Sequence, residues 1–408
     1  MPAHAAQHRR EAVRARRLDR VAEPVEQRVE ATERDRRAGP VEAHRGRRLA
    51  RRDPPQQRMR DGEVQRRIAR RGLLEQPHRR DLLHHPAHGV PVNAALPPPE
   101  GFAVGHWTDD DARTGCTVVI APVGTRGGIE VRGGGTGTRE VEGLAPLANA
   151  EGPTAVLFTG GSAFGLAAAD GVIRWLEERG LGRPTPVGVI PLVSTAVVFD
   201  LAAAAPGRRP GPDQGYAACE AAAGGVPARG RVGAGAGAAV GKVLGRERAT
   251  LSGVGYAATR LPGGETVAAI AVANAVGDVL GEDGQVLGGP HGERGELLRS
   301  AELIRQMPEP PSPAVRAGES TTLVCVCTDA ALDKRGCGIV ARIAGAGIAR
   351  AVDPAFTPFD GDVAFCLASG AALPPAPGPA ASWWLTVLGT AAATVTAAAI
   401  RDAVREAA

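Results

Sequence analysis

Gly318-Glu-Ser-Thr-Thr-Leu-Val-Cys-Val-Cys-Thr-Asp329 is the stretch where a Pro-rich loop gives way to a buried-looking strand that opens on a threonine. Thr321 to Thr328 is apolar and β-prone, so it reads as a core strand. Threonine at a strand start ordinarily satisfies a turn. If the chain is broken before Thr321, however, that residue gains a free α-amino group beside its own hydroxyl. Such an amine has a pKa of about 8, so near neutral pH it can take the proton of a poor alcohol nucleophile.

Upstream of the strand, Pro308-Glu-Pro-Pro-Ser-Pro313 closes a loop-rich connector with one short helix expected at Glu296–Gln306. Downstream, Ile339, Ile343 and Gly347 recur at four-residue spacing and predict a helix over 339–352. Cys116–Ala121, Ala155–Phe158, Val187–Phe199 and Thr266–Asn274 read as further strands. Ser162–Glu178 reads as a helix with Ser162 at its N-cap and Gly180 just past its end. Very apolar strands alternating with helices imply an α/β fold whose sheets are covered by helices. Ala381–Ile400 is uncharged and of membrane length. More than half of it is Ala, Gly or Thr and it ends in Arg401-Asp402, so a packed terminal helix is expected.

Residues 1–98 differ in kind. They hold 23 Arg, no Lys, 13 acids and no aromatic residue, a charge of +10 that leaves −6 on the rest of a chain of net +4. So little apolar surface predicts disorder. Arg14-Ala-Arg-Arg17 and Arg45-Gly-Arg-Arg48 suggest a nucleic-acid arm, but interleaved acids and missing stacking aromatics speak against it. With 46 Arg to 2 Lys in the chain, the segment also reads as a start codon set too early in GC-rich DNA. No apolar run follows the N-terminus, so no secretory signal is visible and the cytoplasm is the expected compartment. The six cysteines show no CxxC or Cys/His metal spacing. Cys325 and Cys327, on one face of their strand, read as core thiols. Gly233-Ala-Gly-Ala-Gly-Ala-Ala-Val-Gly-Lys242 fails the phosphate-loop spacing. Close backbone approach at a cleft, with Gly233 and Gly235 lining a pocket, explains these glycines better.

Several segments, in order, carry a family resemblance: Thr114-Gly-Cys-Thr-Val-Val-Ile120, Val131-Arg-Gly-Gly-Gly-Thr-Gly-Thr-Arg-Glu140, Thr159-Gly-Gly-Ser-Ala-Phe-Gly-Leu166, Val232-Gly-Ala-Gly-Ala-Gly237, the Thr321 strand and Phe359-Asp-Gly-Asp362. Together they resemble the L-aminopeptidase/D-esterase family of peptidases, which includes the β-aminopeptidases and the nylon-oligomer hydrolases. The match runs from about residue 99 to the end. It implies a four-layered α/β/β/α sandwich similar to that of the ornithine acetyltransferases. It further implies that 99–408 is one hydrolase domain, self-cleaved between Ser320 and Thr321 into 99–320 and 321–408.

By that resemblance Thr321 is the nucleophile, Asp360 and Asp362 its acidic pair, Asn274 the oxyanion donor and Lys242 an active-site lysine. Phe199 and Ser162 would join Gly233 and Gly235 in the substrate pocket. No metal or organic cofactor is implied. The expected substrate is a small amide, ester or short peptide, and the expected assembly is a homo-oligomer of cut pieces. Three departures stand out: Ser320 precedes the nucleophile where threonine-type relatives usually have Asn, Phe199 replaces a Tyr, and Arg231 and Ala236 replace an Asn and a Thr. An acyltransferase resembling ornithine acetyltransferase, or a non-catalytic protein of the same fold, is the alternative.

Overall fold

The computed structural model describes residues 91–309, 319–372, 374 and 378–408. Most of the Arg-rich segment, and most of the Pro-rich loop before Ser320, lie outside the described residues. Ten strands build two five-stranded sheets: β1 (Ala103–Asp109), β2 (Thr114–Ile120), β3 (Arg126–Val131), β4 (Thr138–Arg139), β5 (Ala155–Thr159), β6 (Val193–Val197), β7 (Val254–Arg260), β8 (Thr266–Asn274), β9 (Thr321–Ala330) and β10 (Val363–Ala372). One sheet has the order β1-β2-β5-β6-β4 and the other β7-β8-β9-β10-β3. Helices α1 (Ala168–Glu178) and α2 (Pro212–Glu220) cover the first; α3 (Lys334–Ala351) and α4 (Pro379–Arg405) cover the second.

Strand alternation assigns each side chain to a layer. On β8, Ala268, Ile270 and Val272 face the other sheet while Val267, Ala269, Ala271 and Ala273 face the helices. β9 repeats the pattern, with Leu323, Cys325 and Cys327 between the sheets and Val324 and Val326 under the helices. Phe158 of β5 meets Phe365 of β10 across the middle with ring centroids 6.1 Å apart. A third apolar layer joins Val118, Leu157 and Val193 to Val172 and Leu176 of α1. Helix, sheet, sheet, helix is thus the order of the layers, an α/β/β/α sandwich. All six cysteines are buried free thiols.

The helix side of the second sheet uses small residues because α3 and α4 come very close. A Cβ on Gly255 would lie 1.9 Å from the carbonyl oxygen of Ala399. That approach explains the Ala-rich composition of α4, whose buried side packs on β7, β8 and α3. It is long and apolar enough to cross a membrane, yet about half of its most apolar window is covered by protein.

Several expectations shift. The strand predicted over Val187–Phe199 breaks at Pro191 into Gly188–Ile190 and β6, because proline lacks the ladder N–H. The helix expected from Ser162 begins as a 3₁₀ segment at Ser162–Ala167 before becoming α1. Ser162 has φ of 51°, and Gly161, not Ser162, holds the N-cap position. Helix α3 starts at Lys334, five residues before the periodicity, because the Asp333 side chain accepts from the Gly336 N–H. The short helix is Ser300–Gln306. Residues 91–98, grouped by composition with the Arg-rich segment, lie against β7. Asn93 N–H donates to the Ala258 carbonyl at 2.7 Å, and the buried Tyr256 hydroxyl donates to the Leu96 carbonyl at 2.7 Å.

Candidate active site

Strand connectivity brings the expected residues to one end of the second sheet. β8 and β9 are antiparallel, and their register pairs Asn274, the last residue of β8, with Thr321, the first of β9. β9 and β10 are parallel and joined through α3, so the approach to β10 returns beside the start of β9. There Ser320 bridges Asp360. Thr321, Asn274, Asp360, Asp362 and Lys242 are each 7% exposed or less, so the cluster is closed to solvent in the uncut chain.

The peptide bond before Thr321 is held on its carbonyl side. Gly361 N–H donates to the Ser320 carbonyl at 2.8 Å, and the Thr321 hydroxyl donates to the same oxygen at 2.5 Å. A Cβ on Gly361 would sit 3.0 Å from the Thr321 Oγ1, so a larger residue there would press on that hydroxyl. Asp362 accepts from Thr322 N–H at 2.6 Å and from Phe356 N–H at 2.9 Å. Asp360 accepts from the Thr357 hydroxyl at 2.5 Å and from Val276 N–H at 3.2 Å. Burial, and then the Asp360 charge, push the Asp362 carboxyl up to about 7; burial raises Asp360 as well.

Lys242 follows Gly241, whose φ of 71° turns the chain inward. Its ammonium donates to the carbonyls of Asn274 at 2.7 Å and of Glu319 at 2.8 Å. Burial and the neighbouring Arg246 charge bring Lys242 down to about 7, against the pull of Asp360, Glu319 and Asp362. Asn274 is fixed at both ends: its Oδ1 accepts from Ala239 N–H at 3.2 Å, and its Nδ2 donates to the Phe199 carbonyl at 3.3 Å, with a second N–H to offer.

Phe199 therefore touches the cluster through its backbone. Gly233 and Gly235 do not meet Thr321. Cβ atoms there would run into the side chains of Thr117 and His106, and into Val254 N. These glycines let the loop wedge between β2 and β7. Ser162 N–H is spent on the Val198 carbonyl. Three groups escaped sequence reasoning. The Gly133–Gly135 turn donates N–H groups to the carbonyls of Asp362 and Asp360, and a Cβ on Gly133 would lie 2.2 Å from Asp362 N. Thr357, three residues before Asp360, carried the only local hint, a hydroxyl at turn spacing. Asp200, fully buried, binds the Thr114 hydroxyl at 2.6 Å and Gly161 N–H at 2.7 Å and so anchors the segment that carries Phe199.

The profile of peptidase family S58 matches residues 100–408. A Mycobacterium bovis protein named as an uncharacterized aminopeptidase is 42% identical over 321 residues, covering 74% of this chain and 90% of that protein. The 6-aminohexanoate-oligomer endohydrolase of Paenarthrobacter ureafaciens is 31% identical over 310 residues, 75% of this chain and 84% of that protein. Among solved structures, a β-aminopeptidase of Burkholderia sp. superposes with a TM-score of 0.55 at 22% identity over 77% of this chain and 89% of its own. The L-aminopeptidase D-Ala-esterase/amidase of Ochrobactrum anthropi, described as a variant of the Ntn hydrolase fold, gives 0.54 at 17% over 80% and 90%.

Proposed function

The chain belongs to peptidase family S58, and from that premise we propose that this hydrolase, a peptidase or amidohydrolase, cuts itself between Ser320 and Thr321 and then works through an acyl ester on Thr321. The observation that carries the reading is the pairing of the Thr321 hydroxyl with the Ser320 carbonyl that Gly361 N–H holds in place. In the first step Thr321 Oγ1 bonds to the Ser320 carbonyl carbon and the C–N bond breaks. The hydroxyl proton ends on the departing nitrogen. Water then splits the ester, leaving a Ser320 carboxylate and a Thr321 with both hydroxyl and amine free.

In the mature enzyme that amine is the base for the hydroxyl beside it. A substrate carbonyl is attacked, its developing oxyanion takes the spare N–H of Asn274, and the acyl group rests on Thr321 until water removes it. One such donor in a dry cleft lowers the barrier by about 3 kcal/mol. Lys242 loses its Glu319 partner when the loop end departs and is then free to hold a substrate carbonyl. Asp360 and Asp362 fix the strand end and set the charge around it. The substrates are amides or esters of small amino-acid-like compounds, and the working form is an oligomer of cut pieces.

Intact-mass measurement under denaturing conditions tests the first step. The expected result is an 88-residue piece beginning Thr-Thr-Leu-Val, 408 − 320 residues long, with the remainder as a second piece. Thr321→Ala should stay one chain and lose activity. Efficient amide hydrolysis by uncut wild-type protein would overturn the mechanism, because an internal Thr321 has no free amine.

A further inference from the structure

Four arginines gather around one buried carboxylate beside the candidate site. Asp200 ties together the segments that carry Arg113, Arg209 and Arg246 through their neighbours Thr114, Gly161 and Gly237. Arg113 immediately precedes Thr114, whose hydroxyl binds Asp200. Gly161, whose N–H binds Asp200, leaves room for just 3.1 Å between its missing Cβ and the Cβ of Arg209. Gly237 packs against both the Arg113 carbonyl and the Asp200 side chain, and Arg246 donates to the Gly237 carbonyl. Arg231 stands at the head of the same Gly-rich loop, just after Gly230, which pairs with Val254; burial, and then the Arg113 and Arg231 charges, lower the Arg246 guanidinium.

Among the described residues none of these four forms an ion pair within 4 Å. Asp109 is taken by Arg208. Asp110, Asp111 and Glu247 are exposed to water. Asp200 itself is buried, which raises its carboxyl above the usual range, and its two oxygens are already taken by the Thr114 hydroxyl and Gly161 N–H. Arg113, Arg209 and Arg231 are exposed and Arg246 half-buried, with Arg209 stacked 3.9 Å over the exposed ring of Phe164. Asp200 follows Phe199, whose carbonyl accepts from Asn274, so the carboxylate among these segments is one residue along the chain from the partner of the proposed oxyanion donor.

We propose that this rim, Arg113, Arg209, Arg231 and Arg246, binds a carboxylate of the substrate, so that the enzyme prefers amides carrying a free acid to otherwise identical neutral amides. The inference rests on the proposed Thr321 hydrolysis and adds its substrate class. Like charges crowd together at a cost that an anion relieves, and the flat guanidinium fork matches a carboxylate. A rim open to water also focuses anions toward the cleft, an attraction that salt weakens.

The test uses matched pairs of short amides, L-alanyl, β-alanyl and 6-aminohexanoyl dimers, each as the free acid and as the C-terminal amide. Cut wild-type enzyme should show kcat/KM at least roughly tenfold higher for the acid of any pair it hydrolyses, and the ratio should fall as salt is raised. In Arg231→Gln and Arg113→Gln, at exposed positions where folding is not at stake, and in Arg246→Gln, the acid-to-amide ratio should move toward one. Equal rates for acid and amide in a cut, active enzyme would overturn the rim proposal and leave the Thr321 reading standing. A preference that survives all three substitutions would overturn it too. Failure to cut the chain, or to hydrolyse either member of every pair, would remove the Thr321 reading and the rim proposal with it.

Discussion

At the scale of single residues the site is a problem of burying charge. Lys242 has an ordinary value near 10.5 when unfolded and about 7 in the fold, so between those values the unfolded chain holds the extra proton. Stability contributed by this group is therefore missing below about pH 7 and recovered as pH rises toward 10.5. Thr321→Ala, uncut, should gain stability relative to Thr321→Ala with Lys242→Met by about 2 kcal/mol between pH 7 and pH 9. Urea titrations at the two pH values check this; a difference that stays flat would mean that Lys242 keeps its ordinary pKa. Thr321 was legible as a candidate from its own place at a strand start after a Pro-rich loop, whereas Asn274, Lys242, Asp360 and Asp362 were legible only through the family resemblance of the ordered segments around them. Asp200 was not, since a lone acid after a broken strand acquires meaning only when Thr114 and Gly161 arrive from distant segments.

At the scale of elements, β8 and β9 were readable because both faces of each are buried, which leaves a long uninterrupted apolar run. The split of 187–199 and the 3₁₀ start of 162–167 were not, because local breakers and tertiary contacts outvote propensity there. Layer spacing was equally hidden: nothing in Gly255 alone announces a helix backbone resting on it. Gly255→Ala should force α4 away from β7, where the added Cβ would meet Ala399 and Ala403. The expected cost is about 2 kcal/mol or more, read as a fall in denaturation midpoint. An unchanged midpoint would mean that α4 can slide without loss.

At the scale of the molecule, composition placed the start of the folded part at residue 99, while hydrogen bonds place residues 91–98 on β7. Composition cannot register Asn93, Leu96 and the carbonyl of Pro91, which accepts from Thr259 at 3.0 Å. A chain starting at residue 99 should melt roughly 2–5 °C below one starting at residue 91, and identical melting curves would show that this strip is dispensable. The same architecture gives the proposed cut an unusual setting. Residues 321–408 own β9, β10, α3 and α4, and in the sheet β9 lies against β8 while β10 lies against β3, both from the earlier part of the chain. A break at Ser320 therefore leaves two pieces woven into one sheet, and neither can leave while its partner stays folded. Once denatured, the uncut Thr321→Ala chain can refold in a unimolecular process, but cut protein must find its second piece by collision. Recovery of cut protein after dilution from urea should climb with protein concentration while that of Thr321→Ala stays level, so the mature enzyme would persist by how slowly it opens rather than by how readily it re-forms.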